Sequence, residues 1–346
     1  MTRPATILLL VTVILLLSGC GAPDTSKLDA IPGAYFGTFY GQVSSSLKLY
    51  EKIGSKPAIS AQYLGWSDGF NQGFASANAR FGRISFLTWE YNARPGDEYE
   101  SRTLDAITDG IYDEYLTSWA QDVAEFGKPV FLRWGHEMNG DWYLWGGANN
   151  GGGTLDGYGD PKTPDGPERF VDAYRHIHDL FIENGAKNAL WVWCPNAPFS
   201  TMDTAYGSDG WNRAENYYPG DEYVDWLCFD GYNWGTSAFG QQFNSRWTSF
   251  NEIFSESYTR LQDLSRTKPI IIGEFASTED GGDKAAWVAD TFETMQQDYP
   301  QIKAFIWFHN AKETDWRINS SPESLEAFGN ALSGDYWLSE WPGLME

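Results

Sequence analysis

Two glutamates end apolar runs in this chain of 346 residues: Glu137 in Val130-Phe131-Leu132-Arg133-Trp134-Gly135-His136-Glu137, and Glu274 in Ile270-Ile271-Ile272-Gly273-Glu274. Two carboxyl groups can share one acid–base task when their environments differ. Burial and a neighbouring negative charge keep one protonated, while hydrogen-bond donors hold the other ionised. A pair of this kind flanking a glycosidic bond would protonate the leaving oxygen from one side and attack the anomeric carbon from the other. A lone glutamate at a strand end is more often half of a structural ion pair. Here aromatic and polar residues recur at the same kind of position: Trp89-Glu90, His136 with Trp142 just beyond Glu137, Trp193-Cys194-Pro195-Asn196, Asp230-Gly231-Tyr232-Asn233-Trp234, and Trp307-Phe308-His309-Asn310. Core packing alone does not explain that recurrence.

Such residues need a scaffold that brings strand ends together. Short apolar runs alternate with amphipathic stretches, predicting strands at 34–39, 58–63, 83–89, 130–134, 189–193, 226–230, 270–274 and 304–308. Helices are predicted at 112–126, 167–184, 247–265, 283–298 and 322–332, among others. Pro167 and Glu168 sit in the first turn of the second of these, and Asn184-Gly185 ends it. Eight β/α units predict a single (β/α)8 TIM barrel, of class α/β, over residues 34–346, with chemistry at the C-terminal ends of the strands. An open doubly wound sheet is the alternative, but Gly33, Gly37 and Gly41 do not form the Gly-rich phosphate turn it would use. Strand alternation groups Phe131, Arg133, Gly135 and Glu137 against Leu132, Trp134 and His136, and groups Ile270, Ile272 and Glu274. With those faces turned inward, the two glutamates meet across the barrel mouth.

Composition narrows the partners. Lys and Arg total 24 against 47 Asp and Glu, a formal charge of −23, which repels nucleic-acid phosphates and anionic membranes. Aromatics make up 16% of the chain, too many for a disordered acidic segment and well suited to stacking on a neutral, hydroxyl-rich ligand such as a sugar. The four histidines form no HExxH pair, and no GxSxG elbow is present, so neither a zinc hydrolase nor a serine hydrolase fits. The acidic loops 156–165 and 203–209 lack EF-hand spacing. No cofactor and no metal are expected.

Residues 1–19 read as an export signal, with Arg3 followed by an apolar run from Ile7 to Leu17 that is too short to span a bilayer. Leu17-Ser18-Gly19-Cys20 resembles a bacterial lipobox, implying lipidation at Cys20, a tether over 20–33, and an exported lipoprotein held at a membrane only through its lipid. Cys194 and Cys228 are expected as buried free thiols.

His136-Glu137-Met138-Asn139-Gly140-Asp141-Trp142-Tyr143, with Trp145-Gly146 following, resembles the signature of glycoside hydrolase family 26. Trp191-Val192-Trp193 with Pro195-Asn196, Asp230-Gly231-Tyr232-Asn233 and Ile271-Ile272-Gly273-Glu274-Phe275 resemble its later strands, so the likeness runs over about residues 34–332. The resemblance implies a retaining endo-β-glycanase acting by double displacement, with Glu137 as acid/base and Glu274 as nucleophile about 5 to 5.5 Å apart. It further implies that His136 lies beside the acid/base, that Tyr232 hydrogen-bonds the nucleophile, and that Trp142 and Trp307 stack on sugar near the cleaved bond. Trp89, Glu90, Trp193 and Asn196 complete the expected binding residues. The implied substrate is a β-1,4-linked mannan or glucomannan, cleaved by a monomer. One departure stands out: where the mannanases of the family typically carry Trp-His at the end of strand three, this chain has Trp89-Glu90, closer to members acting on mixed-linkage β-glucan. A non-catalytic sugar-capturing lipoprotein is the alternative from another class.

Overall fold

The computed structural model describes residues 33–40, 43–91, 103–198 and 210–345. The signal segment, Cys20, most of the tether and the acidic loop 203–209 lie outside the described residues.

Eight parallel strands close into a barrel: β1 (Ala34–Tyr40), β2 (Ile59–Gly65), β3 (Ile84–Glu90), β4 (Val130–Trp134), β5 (Ala189–Trp193), β6 (Trp226–Asn233), β7 (Ile270–Ser277) and β8 (Ile302–His309). Each pairs with the next, and β8 pairs back onto β1, which also pairs β2. Outside it lie α1 (Val43–Ile53), α2 (Gln72–Ala79), α3 (Thr103–Thr108), α4 (Asp113–Phe126), α5 (Asp165–Glu183), α6 (Phe250–Leu264), α7 (Lys284–Asp298) and α8 (Pro322–Ala331). This is the predicted (β/α)8 barrel.

The helices begin where side chains satisfy their first amides. Ser249 and Glu252 form a reciprocal capping box on α6, Asp283 accepts from the Ala286 N–H on α7, and Ser321 with Pro322 opens α8. Helix α5 starts two residues earlier than the proline suggested and buries Phe170, Tyr174, Ile177 and Phe181 against the sheet.

Alternation along the strands divides the apolar residues between two cores. Tyr35, Ile59, Phe86, Phe131, Val192, Trp226, Ile271 and Ile306 fill the barrel interior. Phe36, Leu87, Leu132, Trp191, Phe229, Ile272 and Phe305 pack beneath the helices. The C-terminal tail closes the lower end. A short strand, β9 (Trp337–Leu338), pairs with β1, the Trp341 N–H donates to the Gly82 carbonyl (2.7 Å), and Trp341 packs its ring on Tyr35 and Phe131 inside the barrel. Apolar side chains thus occupy the lower barrel, leaving polar ones at the upper mouth.

The cysteines differ from expectation. Cys194 and Cys228 are joined as a disulfide, with Cα atoms 4.3 Å apart. Trp193 pairs with Leu227 across β5 and β6, so the next residue on each strand, Cys194 and Cys228, face each other inside the barrel. That register is a tertiary property the sequence does not display.

Candidate active site

Strand β4 ends at Trp134, and the chain leaves it through Gly135 at φ +64°, where an added Cβ would lie 2.8 Å from the Phe170 ring. The turn ends simple alternation, and His136 and Glu137 both contribute to the mouth instead of facing opposite ways. Glu137 itself has φ +53°, a left-handed conformation that costs a non-glycine residue about 1–3 kcal/mol. The surroundings hold it there: its N–H donates to the Cys194 carbonyl (2.7 Å) and its carbonyl accepts from the Gly140 N–H (2.9 Å).

Glu274 reaches the mouth by a different irregularity. Ile272 pairs with Phe229, but the next pair is Glu274 with Asp230, so Gly273 is skipped. The sequence grouping of Ile270, Ile272 and Glu274 is corrected accordingly: the two isoleucines face the helices while Glu274 meets Arg133 inside the mouth. Gly273 permits this crowding, since a Cβ there would lie 2.7 Å from both Asp230 Oδ1 and Cys228 Sγ.

One cation organises the floor. Arg133 is fully buried and donates through Nη1 to Asp230 Oδ2 (2.6 Å), through Nη2 to Glu274 Oε1, and through Nη2 and Nε to Thr88 Oγ1 (2.8 and 3.1 Å). Tyr232 donates to the other oxygen of Glu274 (2.5 Å). Glu137 has neutral partners: Asn196 Nδ2 donates to Oε1 (3.0 Å) and Trp142 Nε1 to Oε2 (2.7 Å). Burial, reinforced by the charge of Glu274, pushes the Glu137 carboxyl up to about 8, outweighing the Trp142 and Asn196 bonds and the Arg133 charge. Burial raises the Asp230 carboxyl as well, against the pull of Arg133 and with the charges of Glu274 and Glu137 adding to it. The two glutamates therefore sit in one mouth with different surroundings: a buried Glu137 whose carboxyl is pushed up, and a Glu274 that accepts from a guanidinium and a phenol.

His136 is buried between the acids. Its Nε2 lies 3.0 Å from Tyr143 Oη and 3.9 Å from an oxygen of both Glu90 and Glu274. Burial and the Arg133 charge hold its imidazole well below its usual range, so the ring is neutral. Glu90 is itself raised, first by burial and then by Glu274.

Of the residues singled out in the sequence, Glu90, His136, Glu137, Trp142, Asn196, Tyr232 and Glu274 converge here. Trp142 leaves 48% of its surface exposed beside Glu137, free to meet a ligand. Trp89, Trp193 and Trp307 do not converge, and their expected role in binding sugar is corrected. All three are fully buried and face the helices: Trp89 stacks on Trp119 (4.4 Å), Trp193 donates to the Tyr217 carbonyl (2.9 Å), and Trp307 donates to the Trp316 carbonyl (2.8 Å). Their strand neighbours Thr88, Cys194 and Phe308 lie on the inner side.

Arg133, Asp230, Tyr63, whose hydroxyl accepts from Arg133 Nη2 (3.4 Å), and Tyr143 also belong to the site, outside the set to which the sequence points. A charged residue inside an apolar strand was the available signal for the first two. For a metal, Cys194, Cys228 and Asp230 offer atoms within 4.8 Å of one another, yet the sulfurs are bonded to each other and Asp230 serves Arg133. In the acidic loop 156–165, Asp165 accepts from Thr154 (2.5 Å) and from the Gly157 N–H (3.0 Å), and Arg169 supplies the cation beside it.

Residues 87–254 match the model of glycosyl hydrolase family 26, a span that includes Glu90, His136, Glu137, Trp142, Asn196 and Tyr232. The chain belongs to glycosyl hydrolase family 26. This family 26 chain is 39% identical over 303 residues to Endoglucanase H of Acetivibrio thermocellus, covering 87% of this chain and 30% of that protein. It is 27% identical over 269 residues to a mannan endo-1,4-β-mannosidase of Bacillus subtilis, covering 76% and 58%. The chain thus spans less than two thirds of the length of either relative. In fold it is similar to a solved Bacillus subtilis mannanase, with a TM-score of 0.62 at 19% identity over 92% of each chain.

Proposed function

We propose that this chain is a retaining endo-β-glycanase in which Glu137 is the general acid/base and Glu274 the nucleophile. The observation carrying this reading is the contrast between two buried glutamates in one mouth. Glu137 keeps its proton up to about pH 8, and Glu274 accepts from Arg133 and Tyr232. In the first step a Glu274 oxygen bonds to the anomeric carbon as that carbon's bond to the leaving oxygen breaks, and Glu137 gives that oxygen its proton. In the second, Glu137 takes a proton from water, whose oxygen displaces Glu274 and restores the β configuration. Trp142 steadies the acid through its indole N–H and presents its exposed ring to a sugar.

Two observations favour a β-1,4-linked or mixed-linkage glucan as substrate: Glu90 beside His136 where mannanases typically carry histidine, and the greater identity to an endoglucanase than to a mannanase. Mannan or glucomannan is the second reading, supported by the mannanase relatives. The test is reducing-sugar release from barley β-glucan, glucomannan, mannan and β-1,3-xylan by wild type and Glu274→Ala. We expect barley β-glucan to be the fastest substrate and the variant to be inert. Equal release by both proteins would remove Glu274 from the mechanism, and no release from any polymer would favour the sugar-capturing alternative. The export signal and the lipobox-like Leu17-Ser18-Gly19-Cys20 support an exported, lipid-anchored enzyme, testable by loss of fatty-acid labelling in Cys20→Ala.

A further inference from the structure

Phe239 and Phe243 lie in the loop after β6, 39% and 50% exposed. Exposing aromatic surface to water forgoes roughly 25 cal/mol for every Å² left uncovered, and hydrogen bonds fix the loop that carries the two rings. The Ser245 hydroxyl donates to the Gly235 carbonyl (2.5 Å), the Gly240 N–H donates to Ser237 Oγ (3.2 Å), the Gln241 N–H donates to the Ser237 carbonyl (2.9 Å), and the Thr236 N–H donates to the Asp280 carbonyl (2.9 Å). Gly240 is packed so closely on Trp234 that an added Cβ would lie 3.0 Å from the Trp234 Cβ.

The two rings are the outer end of a continuous aromatic run that begins at the nucleophile candidate. Tyr232, bonded to Glu274, lies 5.0 Å from Trp316, and Trp316 lies 4.7 Å from Trp234. Trp234 in turn stacks on Phe239 (5.2 Å) and meets Phe243 edge-on (5.4 Å). Exposed amide residues Gln241, Gln242 and Asn244 flank Phe243. This pairing offers a sugar an aromatic surface for its C–H face and, at Gln242 and Asn244, exposed amides for its hydroxyls, and it joins the mouth that holds Glu137 and Glu274.

We propose that Phe239 and Phe243 form a distal platform for the same polysaccharide chain, binding a sugar unit beyond those at the cleavage point. The proposal rests on the reading of the cleft as a β-glycan site and adds that the enzyme grips a longer segment than the reaction requires. The platform therefore acts on long substrates and is invisible to short ones.

The test compares wild type with Phe243→Ala and the double variant Phe239→Ala/Phe243→Ala on barley β-glucan and on an aryl β-cellobioside. The expected result is a loss of about tenfold in kcat/KM on the polymer, carried by KM, as follows from an aromatic contact worth roughly 1.4 kcal/mol. The aryl substrate should stay within twofold, and Phe243→Tyr should restore the polymer value. Equal losses on both substrates, or no loss on either, would overturn the proposal. Retention of each variant on gels containing β-glucan, measured without turnover, separates this outcome from failure of the catalytic reading. Wild type retained and the double variant released supports the platform even if nothing is hydrolysed. A wild-type dimer in sedimentation that Phe243→Ala converts to monomer would overturn it by assigning the patch to a second copy of this chain.

Discussion

Replacing Glu137 by glutamine removes one titratable proton while nearly preserving shape, so its effect on stability should depend on pH. The carboxyl is raised from an ordinary value of 4.5 to about 8 in the folded protein, with burial and then Glu274 as the causes. Between those values the folded state keeps a proton that the unfolded chain has released. Stability from this group is therefore fully present below pH 4.5, declines as pH rises, and is gone above about 8. At about 1.4 kcal/mol for each tenfold in proton affinity, the ceiling is on the order of 5 kcal/mol. Part of this is shared with Glu274, so about 2 kcal/mol is the smallest change the account accepts. Glutamine brings its own cost: both Glu137 oxygens accept from donors, Asn196 and Trp142, so an amide NH2 must face one of them, costing roughly 1–3 kcal/mol. That cost is independent of pH and displaces the whole curve, so the slope carries the test. Urea denaturation of both proteins at pH 5, 6.5 and 8 should show the variant gaining on wild type by at least about 2 kcal/mol across the range. Parallel curves would mean that Glu137 is not held protonated, and the acid assignment would lose its physical basis.

Glu137→Ala should slow substrates with poor leaving groups far more than activated aryl glycosides, because only the former need protonation; uniform loss would argue against an acid role. Arg133→Leu strands Asp230 and Glu274 without their cation and should destabilise the fold by roughly 3–5 kcal/mol in denaturation, against which a change under 1 kcal/mol would count. Gly273→Ala drives a Cβ into Asp230 and Cys228 at 2.7 Å; it should cost about 1–3 kcal/mol and lower kcat, and a variant with unchanged kcat would show that Glu274 tolerates displacement.

Strand positions and most helices were legible because alternating apolar residues and capping residues act locally. Val130–Trp134 and Ala189–Trp193 coincide with the predicted runs residue for residue. The pair Glu137 and Glu274 was legible for the same reason, each following an apolar strand. What alternation could not supply was the direction of side chains beyond a break. Gly135 at positive φ brings His136 and Glu137 into the same mouth, and the skipped Gly273 reverses Glu274 relative to Ile272. The tryptophans at strand ends carry no such directional signal in the sequence. Trp89, Trp193 and Trp307 occupy the outward parity and fill the space beneath the helices, where large aromatics bury the most area. Arg133 and Asp230 were visible as charges inside apolar strands, but their partnership is a contact between residues 97 positions apart that only the closed barrel creates.

The central claim, that Glu274 bonds to the sugar while Glu137 serves as acid and base, is tested most directly by trapping the intermediate. Wild-type protein incubated with a 2-deoxy-2-fluoro β-glycoside bearing a good leaving group should gain the mass of one glycosyl unit, and peptide mapping should locate it on Glu274. A label on any other residue, or none in protein that still hydrolyses its polysaccharide, would contradict the account.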